Sequence, residues 1–143
     1  MDTTFNHLAR GEIETIRAGD IYDVTCPSRS VIQMLADKWT MLVIDSLSRG
    51  PLRFGELRRQ VGGVTQKMLT QTLRVLERDG LVLREVYPSA PPSVEYSLTA
   101  LGISITAITE QMCVWAENNM KPVLIARLDY DTRTARAEQP LPK

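Results

Sequence analysis

Five polar side chains recur at helical spacing in the middle of the chain, namely Gln66, Lys67, Thr70, Gln71 and Arg74. Steps of one and three residues alternate between them, which places all five on one face of a helix. A glutamine amide pairs with adenine, arginine and lysine reach the O6/N7 edge of guanine, and threonine offers a hydroxyl and a methyl group. No carboxylate interrupts the set. The face suits the reading of base edges in a major groove, and an ordinary solvated helix face is the alternative.

Basic side chains on either side of this segment form a second candidate site. Residues 49–85 carry eight Lys and Arg against four Asp and Glu, although the whole chain holds 17 of each. This modest excess favours contact with phosphates. As an alternative, each cation is simply solvated, and Lys38 pairs with Asp37 or Asp45. The residues expected to approach phosphates are Lys38, Arg53, Arg58, Arg59 and Arg84.

Other chemistry finds little support in the composition. The chain has one histidine, His7, and two cysteines, Cys26 and Cys113, which are too few and too far apart for a zinc site or a disulfide scaffold. It lacks a glycine-rich phosphate loop, and no nucleophile and base lie at a spacing typical of a catalytic site. No run approaches the roughly 20 apolar residues of a membrane span, and a signal-peptide pattern is missing. We therefore expect a cytoplasmic protein with no enzyme activity, metal, cofactor or membrane contact.

Two consecutive helices joined by a tight turn must position the base-reading face. The first has Phe54, Leu57 and Val61 at helical spacing, and the turn is Gly62-Gly63. Thr65 caps the second helix, and Asp79-Gly80 ends it. This order predicts a helix-turn-helix. The residues expected on the buried stripe of its second helix are Met68, Leu69, Thr72, Leu73 and Leu76.

Two further helices precede this motif and are expected to support it. One runs from about Lys38 through Leu47, where apolar residues recur at spacings of three and four. The other starts near Cys26-Pro27, with proline in the first turn and Cys26 as the N-cap. A start at Ser30, which has the form of a capping box, is the alternative.

The pattern then changes from helical to alternating. Residues 81–87 are rich in β-forming types, and residues 93–98 alternate polar and apolar side chains, so two strands are predicted. The loop of residues 88–92 holds three prolines and is expected to form a rigid tip, where Ser89 and Ala90 contact DNA. The fold class is mainly α with a small β-hairpin (α+β), a winged helix-turn-helix with terminal dimerisation helices.

The last predicted helix has more apolar surface than one small domain needs. It is capped by Thr99 and continues to about Asn119, and a second stripe holds Ile103, Ala107 and Val114. The extra stripe suggests a partner chain in a two-fold dimer. The residues expected at the dimer interface are Leu101, Ile105, Ile108, Met112 and Trp115.

Four segments follow from these patterns. Residues 1–25 are an N-terminal extension with scattered apolar positions, such as Phe5, that suggest a short helix contributing to the dimer. Residues 26–99 form the winged helix-turn-helix, and residues 100–120 form the dimerisation helix. Residues 121–143 are expected to end in a flexible tail from about Asp129, where apolar periodicity stops.

Six motifs follow one another in order: CP at 26–27, KWT at 38–40, GPLRFGEL at 50–57, QKMLT at 66–70, LERDGLV at 76–82 and PPSVEYSLT at 91–99. Together they resemble one family of bacterial transcription regulators, the HxlR-type family, and the resemblance covers about residues 26–117. The resemblance implies a dimeric winged helix-turn-helix protein that binds double-stranded operator DNA, with the helix from Thr65 serving for recognition.

The same resemblance points to a regulatory thiol. Several members of this type sense electrophiles or oxidants through a cysteine before the first matched helix, and Cys26 is the matching residue. The dipole and unpaired N–H groups of a helix N-terminus favour the thiolate. The alternative is a small packing residue, the role we expect for Cys113. A small molecule is the other effector to consider.

The sequence thus predicts a homodimeric transcriptional regulator that reads an inverted repeat. A winged-helix module that binds another protein instead of DNA is the alternative. The recognition face disfavours it, because a protein-docking face more often carries aromatic side chains or a large apolar patch.

Overall fold

A computed structural model describes residues 7–16 and 19–142. Within these residues the chain forms six helices and three strands, and chain contacts divide it into two units, Met1–Thr106 and Ala107–Lys143. Phe5 lies outside the described residues. The elements in chain order are α1 Arg10–Glu14, α2 Ser28–Leu35, α3 Lys38–Leu47, β1 Leu52–Arg53, α4 Phe54–Gln60, α5 Gln66–Arg78, β2 Val82–Tyr87, β3 Ser93–Leu98 and α6 Ala100–Ala137.

The core of the first unit lies between α3, α4, α5 and the sheet. Ile44, Leu57, Leu69 and Leu76 are fully buried in it, and Tyr96 of β3 closes it from the sheet side. Along α5, for example, the buried residues Leu69, Leu73 and Leu76 are separated by four and three positions, which brings them to one side of the helix. Burial of each such side chain contributes about 1.5–3 kcal/mol, so the core holds α5 firmly in place.

Side-chain caps fix the starts of the two central helices. Asp37 accepts hydrogen bonds from the backbone N–H groups of Trp39 and Thr40 at 2.9 and 3.1 Å. Thr65 accepts one from Met68 at 3.1 Å, as its position in the sequence predicts. Gly63, with a φ of +86°, makes the left-handed turn before α5. The predicted helix-turn-helix is therefore present in α4, the turn and α5.

The sheet has one more strand than the sequence predicts. The order is β1-β3-β2, with both pairs antiparallel, and Leu52 of β1 lies opposite Tyr96 of β3. Two residues are too short for an alternating pattern, so only pairing with β3 reveals β1 as a strand. The predicted hairpin of β2 and β3 is confirmed at Val82–Tyr87 and Ser93–Leu98.

Two local expectations in the first unit are wrong. Helix α2 begins at Ser28 with Pro27 as its N-cap, so Cys26 lies one residue before the cap. Pro27 already has helical dihedral angles of −61° and −24°, which fits the prediction of proline in the first turn and excludes a start at Ser30. Met68 is 39% exposed because Leu69, Leu73 and Leu76 form the buried stripe of α5.

Helix α6 is much longer than its apolar pattern predicts. It spans 38 residues to Ala137, so the expected end near Asn119 and the expected flexible tail from Asp129 are both wrong. The segment after Pro122 is rich in alanine, leucine and arginine, which are strong helix formers without any buried stripe. The predicted cap is correct, since the Thr99 hydroxyl accepts from the N–H of Gly102 at 3.1 Å.

Candidate nucleic-acid interface

The five predicted base-reading side chains share one patch of surface. Gln66, Lys67, Thr70, Gln71 and Arg74 together line a shallow depression on α5. Four of them are exposed and Thr70 is half-buried. The opposite side of α5 is anchored in the core, so the polar face is presented on a rigid element. Such support is what a specific contact with base edges requires.

The electrostatic character of this face is uniform. Lys67 and Arg74 are the charged members of the set, and the first carboxylate along α5 is Glu77, the next-to-last residue of the helix. No ion pair involves these residues within the described part of the chain. Both cations therefore remain available to a negatively charged partner.

Helix α4 brings two of the predicted phosphate contacts together. Arg53 and Arg59 line one depression with Gly55 and Glu56. Glu56 accepts a hydrogen bond from the backbone N–H of Arg53 at 3.0 Å. This bond caps α4 and occupies one of the two carboxylate oxygens. Arg58 is exposed in the last turn of the same helix. The three arginines thus lie on α4 or at its N-cap, ahead of α5 in the chain.

Lys38 does not form the ion pair that the sequence leaves open. Its ammonium lies 4.2 Å from the centroid of the Trp39 ring, a cation–π contact. Asp45 pairs with Arg49 at 3.0 Å instead, and Asp37 caps α3. The charge of Lys38 at the start of α3 therefore has no carboxylate within 4.0 Å among residues 7–16 and 19–142.

The sheet places the remaining cation, Arg84, apart from Arg53. Arg84 lies opposite Tyr96, on the face of the sheet that carries the buried Tyr96 and Val82. Arg53 lies opposite Glu95, which belongs to the other face. Side chains of neighbouring positions along a strand point to opposite faces, so the two arginines flank the sheet on different sides.

An acidic pair on the wing escapes the sequence analysis. Glu85 and Glu95 lie directly opposite each other in β2 and β3, and the Tyr87 hydroxyl contacts Glu85 at 2.6 Å and Glu95 at 3.5 Å. The hydrogen bond to Glu85, followed by the negative charges of both carboxylates, raises the pKa of Tyr87 from 10.0 to about 12. Paired positions of the hairpin are equally distant from Ala90 along the chain. Centring the predicted hairpin on Ala90 would therefore have placed Glu85 opposite Glu95.

The wing tip is a proline-rich loop with few hydrogen-bond donors. Ser89 donates its hydroxyl to the carbonyl of Pro91 at 2.6 Å. Because three of the five loop residues are prolines, Ser89 and Ala90 supply the backbone N–H groups of residues 88–92. Both residues are exposed at the tip of the wing.

The two cysteines differ in exposure. Cys26 is 6% exposed, whereas Cys113 on α6 is half-buried. The backbone N–H of Cys26 donates to the carbonyl of Asp23 at 3.0 Å. Hydrogen bonds from the Thr25 N–H and then its hydroxyl lower the pKa of Asp23. Cys26 therefore ends a well-connected turn that leads into α2.

The predicted dimer residues divide into two groups. Leu101, Ile108, Met112 and Trp115 are 50–61% exposed, as an unpaired interface would be. Ile105 is partly buried and packs against the core of its own first unit. Among the residues that the structure describes, no helix, including α6, is long and apolar enough to cross a bilayer.

The family model for an HxlR-like helix-turn-helix matches residues 34–124, which include α3, α4, α5 and the wing. The chain belongs to the HxlR-like helix-turn-helix family. The resemblance drawn from the six sequence motifs is thereby confirmed. HxlR-like proteins matching this chain are transcriptional regulators and not enzymes, and the chain is a helix-turn-helix transcriptional regulator of this kind.

Individual relatives agree with the family assignment. A protein of Escherichia coli K12 named as an uncharacterized HTH-type transcriptional regulator, YtfH, is 40% identical over 114 residues, which cover 80% of this chain and 90% of YtfH. The solved structure of YtfH from Salmonella typhimurium is 42% identical, with a TM-score of 0.71 over 76% of this chain and 97% of that one. The winged-helix fold is therefore confirmed.

A third similar protein is a redox regulator. HypR in its oxidized form is 44% identical, with a TM-score of 0.61 over 66% of this chain and 97% of the HypR chain. Its reduced form has also been solved. The similarity brings the cysteines of this HxlR-like chain into consideration alongside the polar face of α5.

Proposed function

We propose that this HxlR-like chain is a homodimer that binds an inverted-repeat operator in double-stranded DNA. The observation that carries the proposal is the carboxylate-free polar face of α5, presented on a helix anchored by a fully buried stripe. In the proposed complex Gln66, Lys67, Thr70, Gln71 and Arg74 read base edges in the major groove. The basic residues of the supporting elements bind phosphates and set the register.

In the proposed complex, the basic residues that were expected to approach phosphates contact the DNA backbone. Lys38, at the N-terminus of α3, and the arginines of α4 approach phosphates beside the major groove. Arg84 and the amides of Ser89 and Ala90 contact the backbone from the wing. Such contacts contribute salt-dependent affinity without sequence preference. Phosphate contacts are Lys38, Arg53, Arg58, Arg59 and Arg84.

Dimerisation would follow from the apolar side chains that α6 leaves exposed. A two-fold dimer places its two recognition helices in major grooves about one helical turn, ~34–36 Å, apart or a multiple of that distance. The operator is then a palindrome whose half-site spacing reflects the protein dimer. The exposed apolar set of Leu101, Ile108, Met112 and Trp115 supports this arrangement.

The test is selection of bound duplexes from a random pool, followed by affinity measurements on the selected operator and its single-base variants. Arg74→Ala and Gln71→Ala should change the order of preference among those variants, each lost base contact being worth roughly 1–3 kcal/mol. Arg58→Ala is the matched control, since it removes a cation and should weaken all duplexes equally.

Two outcomes would contradict the proposal. If no duplex were enriched and binding showed no dependence on salt, a protein-docking module would explain the fold better. If duplexes were enriched but neither α5 variant altered the order of preference, the base-reading face would be assigned to the wrong side chains.

We also propose that oxidation or alkylation of Cys26 lowers operator affinity. The similarity to the redox regulator HypR supports this role, as does the position of Cys26 at the entry to α2. A bulky group on a thiol that is only 6% exposed must displace the turn of residues 23–26 and the helix that follows. Each ~1.4 kcal/mol of difference between the binding and non-binding arrangements lowers affinity about tenfold.

Operator binding should be titrated with diamide for the wild type, Cys26→Ser and Cys113→Ser. The proposal expects the wild type and Cys113→Ser to lose affinity in parallel while Cys26→Ser retains it. Equal loss in the wild type and Cys26→Ser would rule out Cys26 as the switch, and protection by Cys113→Ser alone would assign the role to Cys113.

A further inference from the structure

A cavity of about 390 Å³ opens between α2, α3 and α5, beside the proposed recognition face. Its volume falls within the range of small-molecule sites. Met34, Trp39 and Val75 form its half-buried apolar part, and exposed Met68 lies at its edge. An aromatic side chain with two thioethers suits a flat apolar body, because methionine is adaptable and makes favourable contacts with rings.

The polar rim of this cavity carries a net negative charge. Asp37 and Asp79 both line it, against a single cation, Arg78. Neither carboxylate has a cationic side chain within 4.0 Å among the residues that the structure describes. Asp37 uses its Oδ1 atom to cap α3, which leaves Oδ2 without a hydrogen bond from those residues. A positively charged group therefore fits the rim better than an anion does.

The cavity adjoins the recognition machinery at two points. Gln71 lines both the cavity and the depression on α5 that forms the base-reading face. The ring of Trp39 reaches the turn at Gly63, which determines where α5 begins. A molecule that held the Gln71 amide or shifted Trp39 would thus change what α5 presents to DNA.

We infer that this cavity binds a small aromatic molecule carrying one positive charge, an arylalkylamine, and that such binding opposes operator binding. The aromatic ring lies among Met34, Trp39 and Met68, and the ammonium faces Asp37. Occupancy engages Gln71 from the cavity side and withdraws it from the base-reading set. The effect on DNA rests on the proposed function, whereas binding of the amine does not.

Three probes with the same phenylethyl body test the binding step. Phenethylamine is a cation, 2-phenylethanol is neutral and 3-phenylpropionate is an anion, so calorimetric titration of the full-length protein without DNA isolates the effect of charge. Phenethylamine should bind at least about fivefold tighter than either of the others, the gain expected from one partly solvated charge pair.

Asp37→Asn removes the charge but keeps the helix cap, since asparagine caps as well as aspartate. It should lower phenethylamine affinity about fivefold and leave 2-phenylethanol unaffected. Asp20→Asn is the matched control, because Asp20 also accepts a backbone hydrogen bond, from Tyr22 at 2.9 Å, and does not line the cavity. In Trp115→Phe, where Trp39 is the remaining tryptophan, fluorescence should respond to phenethylamine.

Equal affinity for the three probes, an Asp37→Asn protein that binds like the wild type, or an unresponsive Trp39 would each overturn the inference. Phenethylamine should lower the operator affinity of the wild type at least about fivefold more than it lowers that of Asp37→Asn. Because any cation competes equally with both proteins for DNA, this comparison removes the general ionic effect. Operator binding without amine binding would defeat this inference alone. Amine binding without any affinity for DNA would defeat the proposed function alone.

Discussion

Tyr87 sits between two like charges on the outer face of the wing. Its hydroxyl donates to Glu85 at 2.6 Å and lies 3.5 Å from Glu95. Directly opposed carboxylates repel each other, and a neutral hydroxyl placed beside both reduces that repulsion. Ionisation of the phenol would add a third negative charge, which is why the pKa of Tyr87 rises to about 12.

Spectrophotometric titration should show one of the four tyrosines ionising last, near pH 12, and Tyr87→Phe should remove that phase. Because the pKa of Tyr87 in the folded protein exceeds the ordinary tyrosine value of 10.0, the hydroxyl contributes stability in full below about pH 10. This contribution is lost as the pH rises through 12. Wild type and Tyr87→Phe should therefore converge in stability at high pH, and a late phase that persists in Tyr87→Phe would contradict the assignment.

The first turn of α6 rests on the backbone of the chain segment that enters the wing. The Thr99 N–H donates to the carbonyl of Leu81 at 3.0 Å, and the Thr99 hydroxyl bonds the carbonyl of Gly80. A Cβ at Gly102 would overlap the Leu81 carbonyl oxygen. The absence of a side chain at residue 102 is therefore what allows α6 to begin so close to β2.

Gly102→Ala should lower the free energy of unfolding by about 1–3 kcal/mol, the usual effect of overpacking, with a lower melting temperature in calorimetry. Gly55→Ala is the matched control, because Gly55 is also helical and a Cβ there meets nothing within 4 Å. That variant should be neutral or up to ~1 kcal/mol more stable. Equal effects at the two positions would show that the close approach at Leu81 is not limiting.

At the scale of the whole molecule, the exposed apolar side chains of α6 are the feature that the single chain leaves unexplained. Trp115 is 61% exposed and Met112 50%, and further apolar residues such as Leu124 and Leu128 continue along the extended helix. Large exposed apolar patches on a small protein mark an interaction surface. The proposed homodimer accounts for them.

Trp115→Glu should convert the proposed dimer to a monomer at micromolar concentration, since an unpaired carboxylate in an apolar interface costs about 3 kcal/mol or more, over a hundredfold in affinity. Sedimentation velocity measures the change, and operator affinity should fall with it. Leu141→Glu places the same charge at a 91% exposed position after α6 and should leave the dimer intact. A wild-type monomer would contradict the prediction at once.

Local sequence determined most elements of the surface that we propose faces DNA. Helix α3 runs over the predicted residues 38–47, Thr65 and Thr99 cap α5 and α6 as expected, and β2 and β3 match the alternating segments. These features depend on neighbours within a few residues, such as caps, turns and side-chain periodicity. For the same reason the five side chains of α5 could be assigned to one face before any packing was known.

Contacts between distant residues decided the rest. Strand β1 exists because β3 pairs with it, and the register of that sheet separates Arg53 from Arg84 and brings Glu85 against Glu95. The cavity beside Trp39 forms only where α2, α3 and α5 meet. The burial of Cys26 and the exposure of Met68 likewise follow from how the helices pack. A periodic pattern shows which side of a helix is buried, but it does not determine the exposure of each residue on that side. Tertiary packing decides these features because it brings together residues that are far apart along the chain, and no local sequence pattern indicates that such residues will be in contact.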